Sequence, residues 1–296
     1  MKRKSQSIRR FGKILFGILL CAMIWSGLAL ADDELRLVPF DQDQAALLLQ
    51  RTVEAKLIPY TMENDGLKLT ITRLLRFKMD WEKAQFSLGC AFTADYDKFF
   101  SFKDSGEVYL TGTGLIAPAE QRLGVKLLKI DGLKLEHTGS MLAEAARFGL
   151  DKGFAGKEFW QGKAPAPETS EAMTRDNFGA LLMVALNQQM PLSGSNGDTS
   201  FTLTQVNSLT MLPEPGYFEV RLSVKGNHRA LLTLPYEGQA EARAFVQVDP
   251  WQLAGIIRME GLTDLRLKNT PGFLSDIVRG MVNNKLKGRE TRFSWK

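Results

Sequence analysis

Two histidines, two cysteines and a scatter of carboxylates are what this chain of 296 residues offers for chemistry. Their spacing argues against catalysis. His137 ends an expected strand and His228 sits in a Gly-Asn-His turn. Neither has a metal-ligand spacing, so both are expected to be solvated side chains. Cys90 lies between Leu88 and Phe92 in an alternating run and is expected to be a buried strand residue, not a nucleophile. Asp95 and Asp97 are close, but their counterparts in the repeat described below are Asn227 and Arg229. A carboxylate pair for acid–base work is not expected there. The chain has no Gly-x-Ser-x-Gly elbow, phosphate loop or dinucleotide fingerprint. Ser193–Asp198 is rich in glycine and serine, yet its position fits a hairpin or helix-to-strand turn. The expectation is a protein that is not an enzyme, with no catalytic residue, no metal ligand and no cofactor. Trp251, after Pro250, is a core or rim aromatic in the plainest view and a guard at a pocket mouth in the sharper one.

The first thirty-one residues read as an export signal. Lys2, Arg3, Lys4, Arg9, Arg10 and Lys13 precede an apolar run from Ile14, and Ala29-Leu30-Ala31 is a small-x-small cleavage signal before Asp32-Asp33-Glu34. Cleavage after Ala31, the general secretory route and a periplasmic location are expected. An uncleaved inner-membrane anchor is the alternative. The charge balance then changes. Of 38 basic residues six precede residue 32 and no acid does, which leaves 32 basic against 33 acidic residues, net −1. The basicity of the whole chain therefore belongs to the signal and gives no support to nucleic-acid binding. Cys90 alone remains after cleavage, so an apolar core must supply the stability.

An internal repeat sets the fold. Shifted by 132 residues, Gln42–Gly156 falls on Thr174–Gly288 without a gap. Identical pairs include Leu49/Leu181, Pro59/Pro191, Met79/Met211, Phe86/Phe218, Gly106/Gly238, Leu142/Leu274 and Gly156/Gly288. Each copy opens with a helix: Ala46, Leu49, Val53 and Leu57 in the first, Phe178, Leu181, Leu182, Ala185 and Leu186 in the second. Asp41 with Gln44 predicts an N-cap. Ile58-Pro59 and Met190-Pro191 predict the stops. Four or five alternating strands follow, with turns expected at Asp95 and at Gly226-Asn227. Each copy closes with a second helix. Thr270-Pro271 predicts a cap and first turn, then Phe273, Leu274, Ile277, Val278 and Met281 predict one wide apolar face. Thr138, Leu142, Ala145, Ala146 and Leu150 are its counterparts. The fold class expected is α+β: a tandem helix–antiparallel sheet–helix module, each curved sheet wrapped around its amphipathic helices. The divisions expected are a signal at 1–31, a first module at 32–156, a linker at 157–169 around Pro165-Ala166-Pro167, and a second module at 170–296.

A curled sheet on oily helices can leave an apolar slot. Leu69, Ile71, Phe86, Leu88, Phe92, Phe201, Leu203, Phe218, Val220, Phe273, Ile277 and Met281 would line it. Several methionines along these faces suit ligands of variable shape. The closing segment Ile257–Leu262, Leu265–Leu267 and Phe273–Leu286, echoed more weakly over 127–154, resembles the tubular lipid-binding superfamily, most closely its small bacterial envelope members. The resemblance implies binding of acyl chains or another hydrophobic ligand between helices and sheet, without catalytic residues. The function expected is that of an exported envelope protein that binds or shuttles a lipid or similar ligand. Membrane contact would be transient, and an envelope protein partner is possible. The alternative is a structural or adaptor protein with solid-cored modules.

Overall fold

A period of two with one apolar face demands a sheet covered on one side. In a computed structural model, residues 35–296 are described except 65–66, 98–100, 138–142, 144–146, 148–149, 231, 269 and 296. In order they form β1 (Val38–Pro39), α1 (Gln42–Leu57), β2 (Tyr60–Asn64), β3 (Leu67–Asp80), β4 (Gln85–Asp97), β5 (Ser101–Ala117), β6 (Arg122–Leu135), β7 (Glu158–Trp160) and β8 (Glu171–Ala172). The second half has α2 (Arg175–Asn187), β9 (Leu192–Asn196), β10 (Thr199–Met211), β11 (Tyr217–Arg229), β12 (Thr233–Asp249), β13 (Ala254–Leu267), α3 (Gly272–Leu286) and β14 (Glu290–Ser294). The export signal lies outside the described residues. So do Thr138, Leu142, Ala145 and Ala146 of the first closing helix, although residues 150–154 are helical and Leu150 is buried.

The opening helices start where their caps dictate. The Asp41 carboxylate accepts from the Gln44 N–H at 2.9 Å, and the Thr174 hydroxyl accepts from the Asn177 N–H at 3.1 Å. Each satisfies a donor that the first turn leaves unpaired. On α2 all five expected face residues are buried. Gly179 lets that helix lie against β10, because a Cβ there would stand 1.8 Å from the Leu209 carbonyl oxygen. The start of α3 differs from expectation. Thr270 bonds back to the Lys268 carbonyl rather than capping, and Pro271 occupies the cap position.

Two antiparallel sheets result, β2-β3-β4-β5-β6-β7 and β9-β10-β11-β12-β13-β14. β7 and β14 follow the closing helices and pair with β6 and β13, so residues 158–160, expected in the linker, extend the first sheet. The turn expected at Gly226-Asn227 is absent. β11 runs on to Arg229, with Gly226 opposite Tyr236. A Cβ at Gly226 would meet the Tyr236 ring at 2.4 Å, so the glycine serves the ladder rather than a turn. β4 likewise runs past Asp95 to Asp97.

The repeat is written into the backbone. Register shifts between β3 and β4 fall at Ile71/Arg73 and Leu74/Arg76, and between β10 and β11 at Leu203/Gln205 and Val206/Ser208. Those between β5 and β6 fall at Tyr109/Leu110 and Thr111/Gly112, and their counterparts at Glu241/Ala242 and Arg243/Ala244. Every one is displaced by 132 residues. A bulge bends its strand and sharpens the twist, so matching bulges curl both sheets alike. Three pairs of left-handed residues share the spacing: Ala84 and Gly216 (φ 52° and 80°), Gln121 and Leu253 (52° and 50°), Gly156 and Gly288 (82° and 76°). The last pair ends the closing helices, as left-handed C-terminal glycines do.

Residues 37–296 form one compact unit in which each copy lends its entry segment to the other's sheet. β1 precedes the first copy but pairs with β12, and β8 precedes the second but pairs with β5. Phe40 thereby stacks on Phe178 of α2 at 4.2 Å, beside Trp81 and Phe218. The main apolar core runs through both halves, with a small separate cluster of Leu115, Ala117 and Trp160 beside it.

Candidate apolar seam

The sheet positions expected to line a slot all point inward. Leu69, Ile71, Phe86, Leu88 and Phe92 are buried in the first sheet, and Phe201, Leu203, Phe218 and Val220 in the second. The helix positions divide. α3 carries two adjacent apolar stripes, Leu274-Val278-Val282-Leu286 and Phe273-Ile277-Met281, and the sheet covers only the first. Phe273 is 60% exposed and Ile277 40%, while Met281 packs on the edge of the core. Phe273 and Ile277 therefore do not line the interior, which corrects the single wide face expected of this helix.

In the second half, the C-terminal ends of α2 and α3 approach each other over the concave sheet. Leu186, Met190 and Leu286 meet Val206, Leu222 and Met259 around a cavity of about 10 Å³. That is room for about one water. At its rim the Arg289 guanidinium donates to the Gln189 side-chain oxygen at 3.3 Å. The open slot expected on sequence grounds is, among the described residues, a closed seam filled by side chains. Nothing in an alternating apolar pattern distinguishes a packed concave face from a hollow one.

The titratable groups are tied to structure. The Asp104 side chain is fully buried and accepts from the Ser105 N–H at 2.7 Å, from the His137 N–H at 3.2 Å, and pairs with His137 Nδ1 at 3.0 Å. His137 is thus a strand-end clasp, not merely solvated. The repeat places Tyr236 where Asp104 stands, and the Tyr236 hydroxyl donates to the Ser200 carbonyl instead, at 2.7 Å. His228 Nδ1 is 2.9 Å from the Thr199 hydroxyl. Burial pushes the Cys90 thiol up to about 12, which removes it as a nucleophile near neutral pH. Asp95 pairs with Lys103 at 3.0 Å. Among the described residues no group of three or more His, Cys, Asp or Glu is placed to hold a metal ion. Trp251 is 58% exposed and carries the Arg51 guanidinium of α1 over its ring at 3.3 Å. It joins the two halves at the surface and is neither core nor gate to the seam.

Sequence reasoning missed a set of side chains that close the bulges. Asp151 accepts from the Ile130 N–H and Asn283 from the Leu262 N–H, each at 2.9 Å. These are equivalent positions of the repeat. Asn187 grips Val206 at both backbone groups, at 2.8 and 3.2 Å. The only signal in the sequence is a polar residue within an otherwise apolar helix stripe.

The class so defined is a two-module α+β protein of curled antiparallel sheets, each packed on helices across one shared core. No protein-family model matches the chain, and no curated protein matches it. Among solved structures it is similar to P47 of Clostridium botulinum E1 at 6% identity, over 86% of this chain and 88% of that one, with a TM-score of 0.24. It is also similar to a lipopolysaccharide binding protein at 9% identity, over 85% and 90%, with a TM-score of 0.23. At such scores neither lends this chain a ligand.

Proposed function

We propose that this chain is an exported, non-enzymatic envelope protein that binds or shuttles a lipid or another hydrophobic ligand. The seam between α2, α3 and the second sheet is the ligand's place. One observation carries this reading: the seam reaches the surface between two helix ends and is closed by flexible Met190 and Met259 rather than by interlocked aromatics. Its gate is one neutral-to-cation hydrogen bond, Arg289 to Gln189. Parting the helix ends would expose a lining in which Leu186, Leu192, Val206, Val220, Leu222 and Leu286 are all apolar. A chain of a dozen methylenes entering it would gain about 10 kcal/mol, at roughly 0.8 kcal/mol each. That gain must offset the separation of the helices, so the closed seam is the ligand-free form. Among the described residues no helix is long and apolar enough to cross a membrane. The test is native mass spectrometry of the purified protein together with titration of a fluorescent fatty acid. Co-purified lipid, or saturable binding that a Met259→Trp plug weakens, is expected. Absence of both defeats the reading. Sequencing the mature N-terminus should give Asp32 if the signal is cleaved.

The small seam volume favours a second reading, a solid-cored adaptor of the envelope. A stable protein partner recovered by cross-linking in intact cells, with no lipid bound to the pure protein, would select it.

A further inference from the structure

Seven large apolar side chains stand exposed among the described residues, and four of them, Leu232, Leu234, Phe273 and Ile277, gather at one end of the second module. Leu232 forms the tip of the β11–β12 hairpin and is 76% exposed. Leu234 sits opposite His228 in the ladder. The His228 ring meets the Phe273 ring edge-on, with centroids 6.3 Å apart, and Ile277 follows one turn along α3. The hairpin tip and the helix start thus present a single apolar rim at the far end of the concave face. Monomeric proteins seldom leave such a cluster to water without a use.

Four exposed side chains are far fewer than the roughly 20–30 residues that each partner contributes to a stable protein interface. It also projects instead of forming a groove, so it suits a fluid partner better than a folded one. Set back from the tip, on the outer face of the same strands, a groove of about 510 Å³ is lined by Lys225, Arg266 and Lys268 with one acid, Glu237, which Lys268 holds at 3.0 Å. Asp264 binds Arg266 from the side at 2.7 Å. Arg229 stands at the base of the tip, opposite Thr233. Apolar side chains at a tip with ammonium and guanidinium groups set back from it match the layering of acyl chains beneath phosphate headgroups. Asp198 and Asp276 lie at the same end and temper the positive field, so the apolar contact leads and the charge adds to it.

We infer that this rim docks the protein onto a lipid bilayer surface, Leu232 and Phe273 entering the acyl boundary and Lys225, Arg229 and Lys268 facing the headgroups. The inference stands on the exposed rim alone and does not require a lipid in the seam.

Vesicle flotation of the full chain tests it, with phosphatidylcholine alone and with added phosphatidylglycerol. The protein should float with both, severalfold more with the anionic lipid, and the difference should fade with salt. Leu232→Ser with Phe273→Ser should lower partition by about tenfold or more, with the near-ultraviolet spectrum and melting temperature unchanged. Lys225→Glu should remove only the anionic gain. Should the double variant fail to fold, Leu232→Ser alone, in an exposed turn, decides the same question with a severalfold loss. The inference is overturned if the chain stays with neither vesicle, or if the rim variants float as well as the parent. It is also overturned if sedimentation reveals a dimer that the rim variants dissolve, since the rim would then be a self-contact. Floating protein that carries no fatty acid sinks the seam and leaves the docking, and the opposite result does the reverse.

Discussion

Asn283 and Asp151 perform one task at equivalent places, each holding a backbone N–H that a bulge has freed from the ladder. Without that acceptor the Leu262 N–H would be left unpaired in a half-buried position, which costs about 1–3 kcal/mol. Asn283→Ala should therefore lower the unfolding free energy by that much, read as a fall in the urea midpoint with the slope unchanged. Asn283→Asp should be nearly neutral, because the first copy uses Asp151 at this place. A loss in Asn283→Asp as large as in Asn283→Ala would refute the acceptor role. These residues were hard to see beforehand because the two copies differ there, so a search for identity passes over them. The same holds for Asp104, whose value lies in a contact 33 residues away with His137. By contrast, Cys90 and the Asp41 cap were legible, since burial and capping depend on near neighbours along the chain.

Helices and long strands were legible for a different reason: period alone defines them. The face of α3 was not. Leu274 and Val278 form one stripe and Phe273 and Ile277 the next, and both are apolar, so only the position of the sheet selects between them. This selection has an energetic signature. Leu274→Ala should cost about 2–5 kcal/mol, as large-to-small core changes do. Ile277→Ala should stay within about 0.5 kcal/mol, as surface changes do. Equal losses at both positions in denaturant unfolding would show that the outer stripe is covered in solution. Strand ends depend on cross-strand partners in the same way. Gly226-Asn227 has turn chemistry, but Tyr236 lies across the glycine and the ladder continues to Arg229. The bulges left no trace in composition, yet they decide the curl of each sheet and hence how closely it fits its helices.

The arrangement of the two halves could not be read from the repeat, which describes each copy alone. It rests on β1 and β8, two residues each, too short for any period to show. Their exchange makes the halves interdependent. Phe40, ahead of the first copy, donates its N–H to Val246 of β12 and accepts from the N–H of Gly216 in the β10–β11 turn, both in the second half. Its ring stacks on Phe178, and Phe178 in turn lies 6.3 Å from Trp81 and 5.9 Å from Trp295. A core continuous across both halves should melt as one body. Calorimetry should show a single transition whose van't Hoff and calorimetric enthalpies agree. Phe178→Ala, at the centre of the cluster, should cost about 3–5 kcal/mol and move that whole transition down. The double change with Phe40→Ala should cost less than the sum of the single changes, because the stacked pair is lost only once. If Phe178→Ala instead splits the melt into two steps and leaves one where it was, the aromatic cluster is a contact between separate bodies rather than the centre of one.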